Sequence, residues 1–160
     1  PFFKVQISAA KYFLIPKSLK TILAVRGAMG SILGNKLAKI PHTERFFVGG
    51  HNSLRGYAPQ FAGNIDTNNR PTGGRSFLET TIELRLPITS TIGIVGFLDS
   101  GFAYTSSIPD RDQKLLHGAG FGFRYITDFG PIRADIAFPL KKRKSVDDAY
   151  QIYFGIGQSF

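Results

Sequence analysis

The sequence predicts an all-β chain that contributes seven antiparallel strands to a transmembrane β-barrel. Three observations carry this expectation. Apolar and polar residues alternate with period two over segments of about the nine to eleven residues that a tilted strand needs to cross a bilayer. Short turns alternate with long loops along the chain, the layout of outer-membrane barrels, whose short turns face the periplasm. Finally, no apolar run approaches the length of a membrane helix, so a crossing must be made by strands, which hydrocarbon accepts only in a closed barrel.

The expected strands run from Phe3 to Phe13, Leu19 to Ser31, Ser76 to Leu86, Thr91 to Tyr104, Leu116 to Thr127, Pro131 to Pro139 and Ala149 to Phe160. The third has the cleanest alternation. Leu78, Thr80, Ile82, Leu84 and Leu86 form one face, and Glu79, Thr81, Glu83 and Arg85 form the other. A soluble sandwich would turn the apolar face to a core, whereas a membrane barrel turns it to lipid and the charged face to the lumen. In the fifth strand His117, Ala119, Phe121, Phe123 and Tyr125 face outward, while Gly118, Gly120, Gly122 and Arg124 face inward, the glycines leaving luminal space. The seventh alternates Tyr150, Ile152, Phe154 and Ile156 with Gln151, Tyr153, Gly155, Gly157 and Ser159, and ends on the aromatic Phe160.

Turns are expected at Pro16-Lys17-Ser18, at Pro87 to Ser90 and at Asp128-Phe129-Gly130. Long links run roughly from Ile32 to Arg75, from Thr105 to Leu115 and from Leu140 to Asp148, and counting back from Phe160 puts all three on the outer side. Seven strands are too few, and of the wrong parity, for an ordinary bacterial barrel. Two open edges are intolerable in hydrocarbon, so further strands are expected upstream or from another chain. Pro1 opens the sequence without an initiator Met, a charged leader or an apolar signal core, which also reads as a processed or truncated product.

Composition narrows the function classes. With no Cys among 160 residues, neither a disulfide framework nor a Cys-based zinc site is available. The 18 Gly, 15 Phe and 6 Tyr, with helix-forming runs scarce, suit many short-turned strands. A net charge of +9 raises nucleic acid as a partner, but the basic residues are scattered, with no basic helix or RNA-binding aromatic motif, so nucleic acid is not expected. His42, His51 and His117 lack metal-ligand spacing, so no metal or other cofactor is expected. Gly118-Ala119-Gly120-Phe121-Gly122 lacks the Lys and the helix of a phosphate loop, and Asp99-Ser100-Gly101 lies in a strand rather than a nucleophile elbow. No catalytic set emerges, and the chain is read as non-enzymatic.

The link from Ile32 to Arg75 is too long to be an idle connection. It contains Arg45-Phe46-Phe47-Val48-Gly49-Gly50-His51-Asn52-Ser53-Leu54-Arg55-Gly56-Tyr57. This segment resembles the hallmark of the BamA/TamA assembly-factor family (bacterial surface antigen type barrels), whose sixth extracellular loop folds back into the barrel behind an Arg-Gly-aromatic tip. Other segments match in order. Thr81 to Pro87 resembles the family's strand twelve, Phe97 to Gly101 its strand thirteen, Gly130 to Asp135 the turn into strand fifteen, and Tyr153 to Phe160 the aromatic-ended insertion signal. The Arg-Phe-Phe and Gly-Gly spacing is closer to the TamA branch.

The resemblance implies that residues 1–160 are the C-terminal part of a sixteen-stranded outer-membrane barrel, aligned to strands ten through sixteen, with the loop at about 32–75 folded inward. It implies an outer-membrane protein of a Gram-negative bacterium that inserts β-barrel or autotransporter clients, with upstream POTRA domains, a TamB-like periplasm-spanning partner and outer-membrane lipid around it. Leu54, Arg55, Gly56 and Tyr57 would form the loop lock. An inserted guanidinium needs carboxylates, because an unpaired buried charge is costly. Strand parity turns Glu83 and Asp99 inward, and the resemblance, in which the matching Arg pairs with the matching acids, implies that Arg55 contacts one or both, with Gly56 permitting close backbone approach. Tyr153, Gly155, Gly157 and Phe160 would mark the seam and the insertion signal. Lys141-Lys142-Arg143-Lys144 is read as a solvated hairpin tip, with contact to lipid phosphates as the sharper alternative. Two other readings share the pattern: a two-partner secretion translocator or the barrel anchor of a fused lipase, and more distantly a soluble β-barrel carrier of small apolar ligands.

Overall fold

Long alternating segments with little helix propensity can satisfy their backbones only by pairing side by side. The computed structural model, which describes residues 1–16, 20–110, 113, 115–128 and 130–157, shows that outcome. Seven strands form one antiparallel meander: β1 (Phe3–Ile15), β2 (Thr21–Leu33), β3 (Ser76–Pro87), β4 (Ile92–Tyr104), β5 (Leu116–Thr127), β6 (Gly130–Pro139) and β7 (Gln151–Ile156). Each is hydrogen-bonded to its neighbours in sequence, and β1 and β7 are the two edges of a sheet that does not close on itself. No helix among the described residues is long and apolar enough to cross a membrane.

Several boundaries differ from the sequence reading. Strand β1 continues two residues past Phe13, because the ladder with β2 runs on through Leu14 opposite Ile22 and Ile15 opposite Thr21. Strand β2 begins at Thr21 and continues to Leu33, while Leu19 lies outside the described residues. Strand β7 begins at Gln151 rather than Ala149, where pairing with Ala137 starts, and Asp148 accepts a bond from Gln151 Nε2 (2.7 Å) in the approach. Ser159 and Phe160 lie outside the described residues, as do Lys17, Ser18 and Phe129 of the expected turns. The expected turn at Pro87 to Ser90 is closed by Ile88 N and Thr89 N, which both donate to Ile92 O.

The two faces of the sheet differ as the period-two pattern requires. Outward residues remain exposed although they are apolar: Phe121 is 63% exposed, Phe154 77% and Ile156 75%. Inward residues of the same strands are buried although several are charged, among them Glu83 and Asp99 (both 0%) and Asp135 (2%). A water-soluble sheet would reverse this inventory. An apolar outer band over a polar interior is the arrangement stabilised when hydrocarbon surrounds the sheet.

What fills the interior is the long link, here residues 34–75. Its Ile40, Phe46, Val48, Leu54, Tyr57 and Ala62 pack into one cluster with Ala28, Ile32, Phe77, Ala103 and Leu116 of the strands. Each large side chain buried in this way contributes on the order of 1.5–3 kcal/mol before ordering costs. The loop therefore supplies much of the core packed against the sheet.

Candidate functional site

The loop is stitched to the wall through its backbone before any charge is considered. Phe46 and Gly74 exchange antiparallel bonds (2.9 and 2.8 Å), Ala62 N donates to Val48 O (2.8 Å), and Ala103 N of β4 donates to Ala62 O (3.0 Å). These anchors leave residues 49–61 as an excursion into the lumen, and Leu54, Arg55, Gly56 and Tyr57 are its buried tip.

Arg55, 2% exposed, is surrounded by carboxylates carried on separate strands. Its Nε donates to Asp99 Oδ2 (2.6 Å) and its Nη2 to Asp99 Oδ1 (3.0 Å), the two-pronged geometry that suits a planar guanidinium. Nη1 donates to Glu83 Oε2 (3.0 Å) and lies 3.7 Å from Asp135 Oδ2. The guanidinium carbon stands 3.4 Å from the centroid of the Phe97 ring, which closes one face of the site. Even the backbone takes part, since Arg55 N donates to Asp99 Oδ2 (3.2 Å).

The carboxylates are held in turn. Arg85 Nε donates to Glu83 Oε1 (2.7 Å), and Arg124 Nη1 and Nη2 donate to the two oxygens of Asp135 (2.5 and 3.3 Å). Arginine suits every cationic position here, because its fork matches a carboxylate and its charge persists when buried. Such a network stabilises little in net terms once desolvation is counted, yet losing one member leaves a bare charge and is expensive. Its use lies in fixing one position of the loop.

Glycine makes the close approach possible. Gly56 adopts φ +97°, and a Cβ there would lie 2.9 Å from the backbone carbon of Phe138 in β6. Gly118 of β5 faces the loop directly, and a side chain at that position would run into the carbonyl of Arg55. Beside them the Tyr153 hydroxyl of β7 accepts a bond from Gly56 N (3.0 Å) and donates to Tyr57 O (3.1 Å). Tyr57, fully buried, donates its own hydroxyl toward Lys141 O (3.0 Å) and His117 O (3.3 Å).

Two flanking contacts extend the lock. On the β2–β3 side, Ser53 Oγ donates to Glu79, which Arg26 also meets (3.4 Å). On the outer side, Arg143 grips both oxygens of Asp147 (2.8 and 2.7 Å) while donating to Phe61 O (2.6 Å) and Gly63 O (2.9 Å). This corrects the reading of Lys141-Lys142-Arg143-Lys144 as a solvated tip. Arg143 turns inward and latches the last outer loop onto residues 61–63, while Lys141, Lys142 and Lys144 remain exposed.

A model of the Omp85 superfamily domain matches residues 1–160, the whole of the chain. The chain belongs to the Omp85 superfamily. Among Omp85 relatives, it is 28% identical over 144 residues to the outer membrane protein assembly factor BamA of Nitratidesulfovibrio vulgaris, covering 87% of this chain and 18% of the relative. It is 29% identical over 132 residues to outer envelope protein 80, chloroplastic, of Arabidopsis thaliana, covering 78% and 16%. The chain thus spans less than a fifth of the length of either relative. In fold it is similar to the crystal structure of BamA from Haemophilus ducreyi lacking POTRA domains 1-3, with a TM-score of 0.76 at 19% identity, covering 94% of this chain and 34% of that one.

Of the residues singled out in the sequence, Arg55, Glu83 and Asp99 meet in one network, and Leu54, Gly56 and Tyr57 surround it. Tyr153, assigned to the seam, points inward and holds the loop backbone. Gly155 lies under His51 and Arg133, Gly157 has φ +95°, and Phe160 is outside the described residues. Sequence reasoning missed Asp135, Arg124 and Phe97 as members of the network. Parity holds the signal for all three, since Arg124 of β5 and Asp135 of β6 sit on the inward register, and Phe97 lies two residues before Asp99 on the same face.

Proposed function

We propose that the chain is the C-terminal wall of an outer-membrane barrel that acts, without enzymatic chemistry, as an assembly factor promoting the insertion of β-barrel or autotransporter clients, in the manner of the TamA-like branch. The observation that carries this reading is the loop tip fixed by Arg55 between Asp99 and Glu83, with Tyr153 of the edge strand β7 bonded to the same tip. A loop bound so tightly to the wall near β7 fixes the shape of the lumen beside that edge. The edge presents backbone donors and acceptors, so a client strand is templated by strand addition. The assembly role named for the bacterial relative and the match across the entire chain support the same reading. In the full-length protein, POTRA domains and a TamB-like envelope partner deliver the client, and outer-membrane lipid receives it.

The test is client insertion by the full-length protein in liposomes of outer-membrane lipid. Arg55→Ala is expected to slow folding of a client barrel by at least about tenfold, the consequence of leaving a buried charge unpaired at the lock. Wild-type insertion rates from a variant whose loop has become protease-sensitive would overturn the link between lock and function.

A further inference from the structure

Beside the Arg55 network lies a second guanidinium that the lock does not use. Arg133 of β6 is 4% exposed, and only its Nη2 has a partner, donating to Asn52 Oδ1 (2.9 Å). Its Nε and Nη1 are buried without an acceptor, as is Nδ1 of the neighbouring His51. Unsatisfied buried groups on a charged side chain cost several kcal/mol unless something completes them. Nearby carboxylates are already committed, because both oxygens of Asp135 accept from Arg124, while Asp99 and Glu83 hold Arg55. Among the described residues, Glu83, Asp99 and Asp135 each serve another guanidinium, which leaves none of the three to balance Arg133. His51 does not restore the balance. Burial, and after it Arg133, pushes its imidazole below the ordinary pKa, so it adds no charge and offers no anion.

The direction in which Arg133 points indicates where the anion belongs. In the ladder, Arg124 of β5 lies opposite Arg133 of β6, which lies opposite Gly155 of β7. Gly155 has no side chain, and a Cβ there would lie 3.0 Å from Arg133 Nε and 2.8 Å from His51 Nε2. The guanidinium therefore leans across Gly155 toward the free edge of the sheet. The next inward position in that row belongs to whatever strand pairs with β7.

We infer that an upstream strand of the same barrel, which closes on the β7 edge because hydrocarbon does not tolerate an open one, presents an Asp or Glu carboxylate at the ladder position opposite Gly155, where Arg133 Nε and Nη1 receive it. The inference rests on the reading of that edge as a pairing surface and adds the side-chain chemistry that sets register along it. Backbone bonds alone tolerate slippage, and a one-residue slip would turn the carboxylate outward, away from Arg133 and into hydrocarbon. A buried arginine over a glycine gap thus selects both the strand and its register.

The experiment puts p-benzoylphenylalanine in place of Phe154, an outward aromatic beside Gly155, in the full-length protein in native membranes, with and without an assembling client. Cross-linked peptides are sequenced to find the strand opposite and the residue facing Gly155. An Asp or Glu there is expected, in an upstream strand of the same barrel, and capture of a client strand alone would overturn that; neutralising the acid to Asn or Gln, or Arg133→Met, should lower the cross-link yield at least about tenfold. The change on the partner strand keeps the test decisive should Arg133→Met fail to fold, as judged by heat-modifiable migration. A neutral or basic residue opposite Gly155, an amide variant that cross-links like wild type, or no strand captured at all would overturn the inference. Capture of the barrel's own strand alone, through an acid, would support the carboxylate site while removing the client-templating reading.

Discussion

Replacing Arg55 by Ala removes the one side chain to which Asp99 is bound. Among the described residues the Asp99 carboxylate is bonded by Arg55, twice by its guanidinium and once by its backbone N–H, and Asp99 has no solvent exposure. Glu83 fares better, since Arg85 Nε stays at 2.7 Å. The perturbation is therefore a buried carboxylate stripped of its countercharge and left with one backbone N–H, plus loss of the contact with Phe97, and breaking a buried pair from one side costs about 3–5 kcal/mol. Burial of Ile40, Phe46, Val48, Leu54 and Tyr57 and the Arg143 latch are untouched, so the loop should stay in the lumen but open more often. Hydrogen exchange read by mass spectrometry on the full-length protein in nanodiscs gives the opening directly. Amides of residues 54–57 should exchange roughly 10²- to 5 × 10³-fold faster than in the wild type. Exchange within a factor of two of wild type would mean that the loop is held by packing alone.

Tyr153→Phe leaves Gly56 N and Tyr57 O without their buried partner, at about 1–3 kcal/mol for the unsatisfied groups, and should speed exchange at those two residues while strand β7 stays protected. Gly118→Ala drives a methyl group into the backbone carbonyl of Arg55, which cannot swing aside as a side chain would, so the lock must shift; loss of protection at Arg55 without loss of the folded, heat-modifiable barrel is the expected result.

Much of the fold can be read from the residues because a strand's side chains keep strict period two. Leu116 to Thr127 has the same limits in sequence and structure, and its alternation turns Arg124 inward and Phe121 outward in both. Parity also assigns Glu83 and Asp99 to one face without any knowledge of the loop. It does not say which inward residue meets which, because that depends on how 42 residues of irregular chain (34–75) descend between strands. Asp135 is on the correct face by the same rule but gains its meaning only from Arg124 and Arg55, which are distant in sequence. Tyr153 shows the limit in another way: an aromatic near the chain's end fits an interfacial residue equally well, and only the position of Gly56 reveals the hydroxyl's task. Arg143 was hidden within a run of cations whose three lysines are exposed, while the acceptors that set it apart, Phe61 O and Gly63 O, are backbone atoms invisible to side-chain pattern.

The coupling between Arg55 and Asp99 can be measured by a double-mutant cycle of Arg55→Met, Asp99→Asn and both together, read as the opening free energy of amides 54–57 in the full-length barrel. If the two charges lock the loop against the wall, each single variant should be costly and the double variant should recover at least about 2 kcal/mol of their sum, because no bare charge then remains. Single effects that add to within about 0.5 kcal/mol would show two residues that act independently, and the lock would not exist.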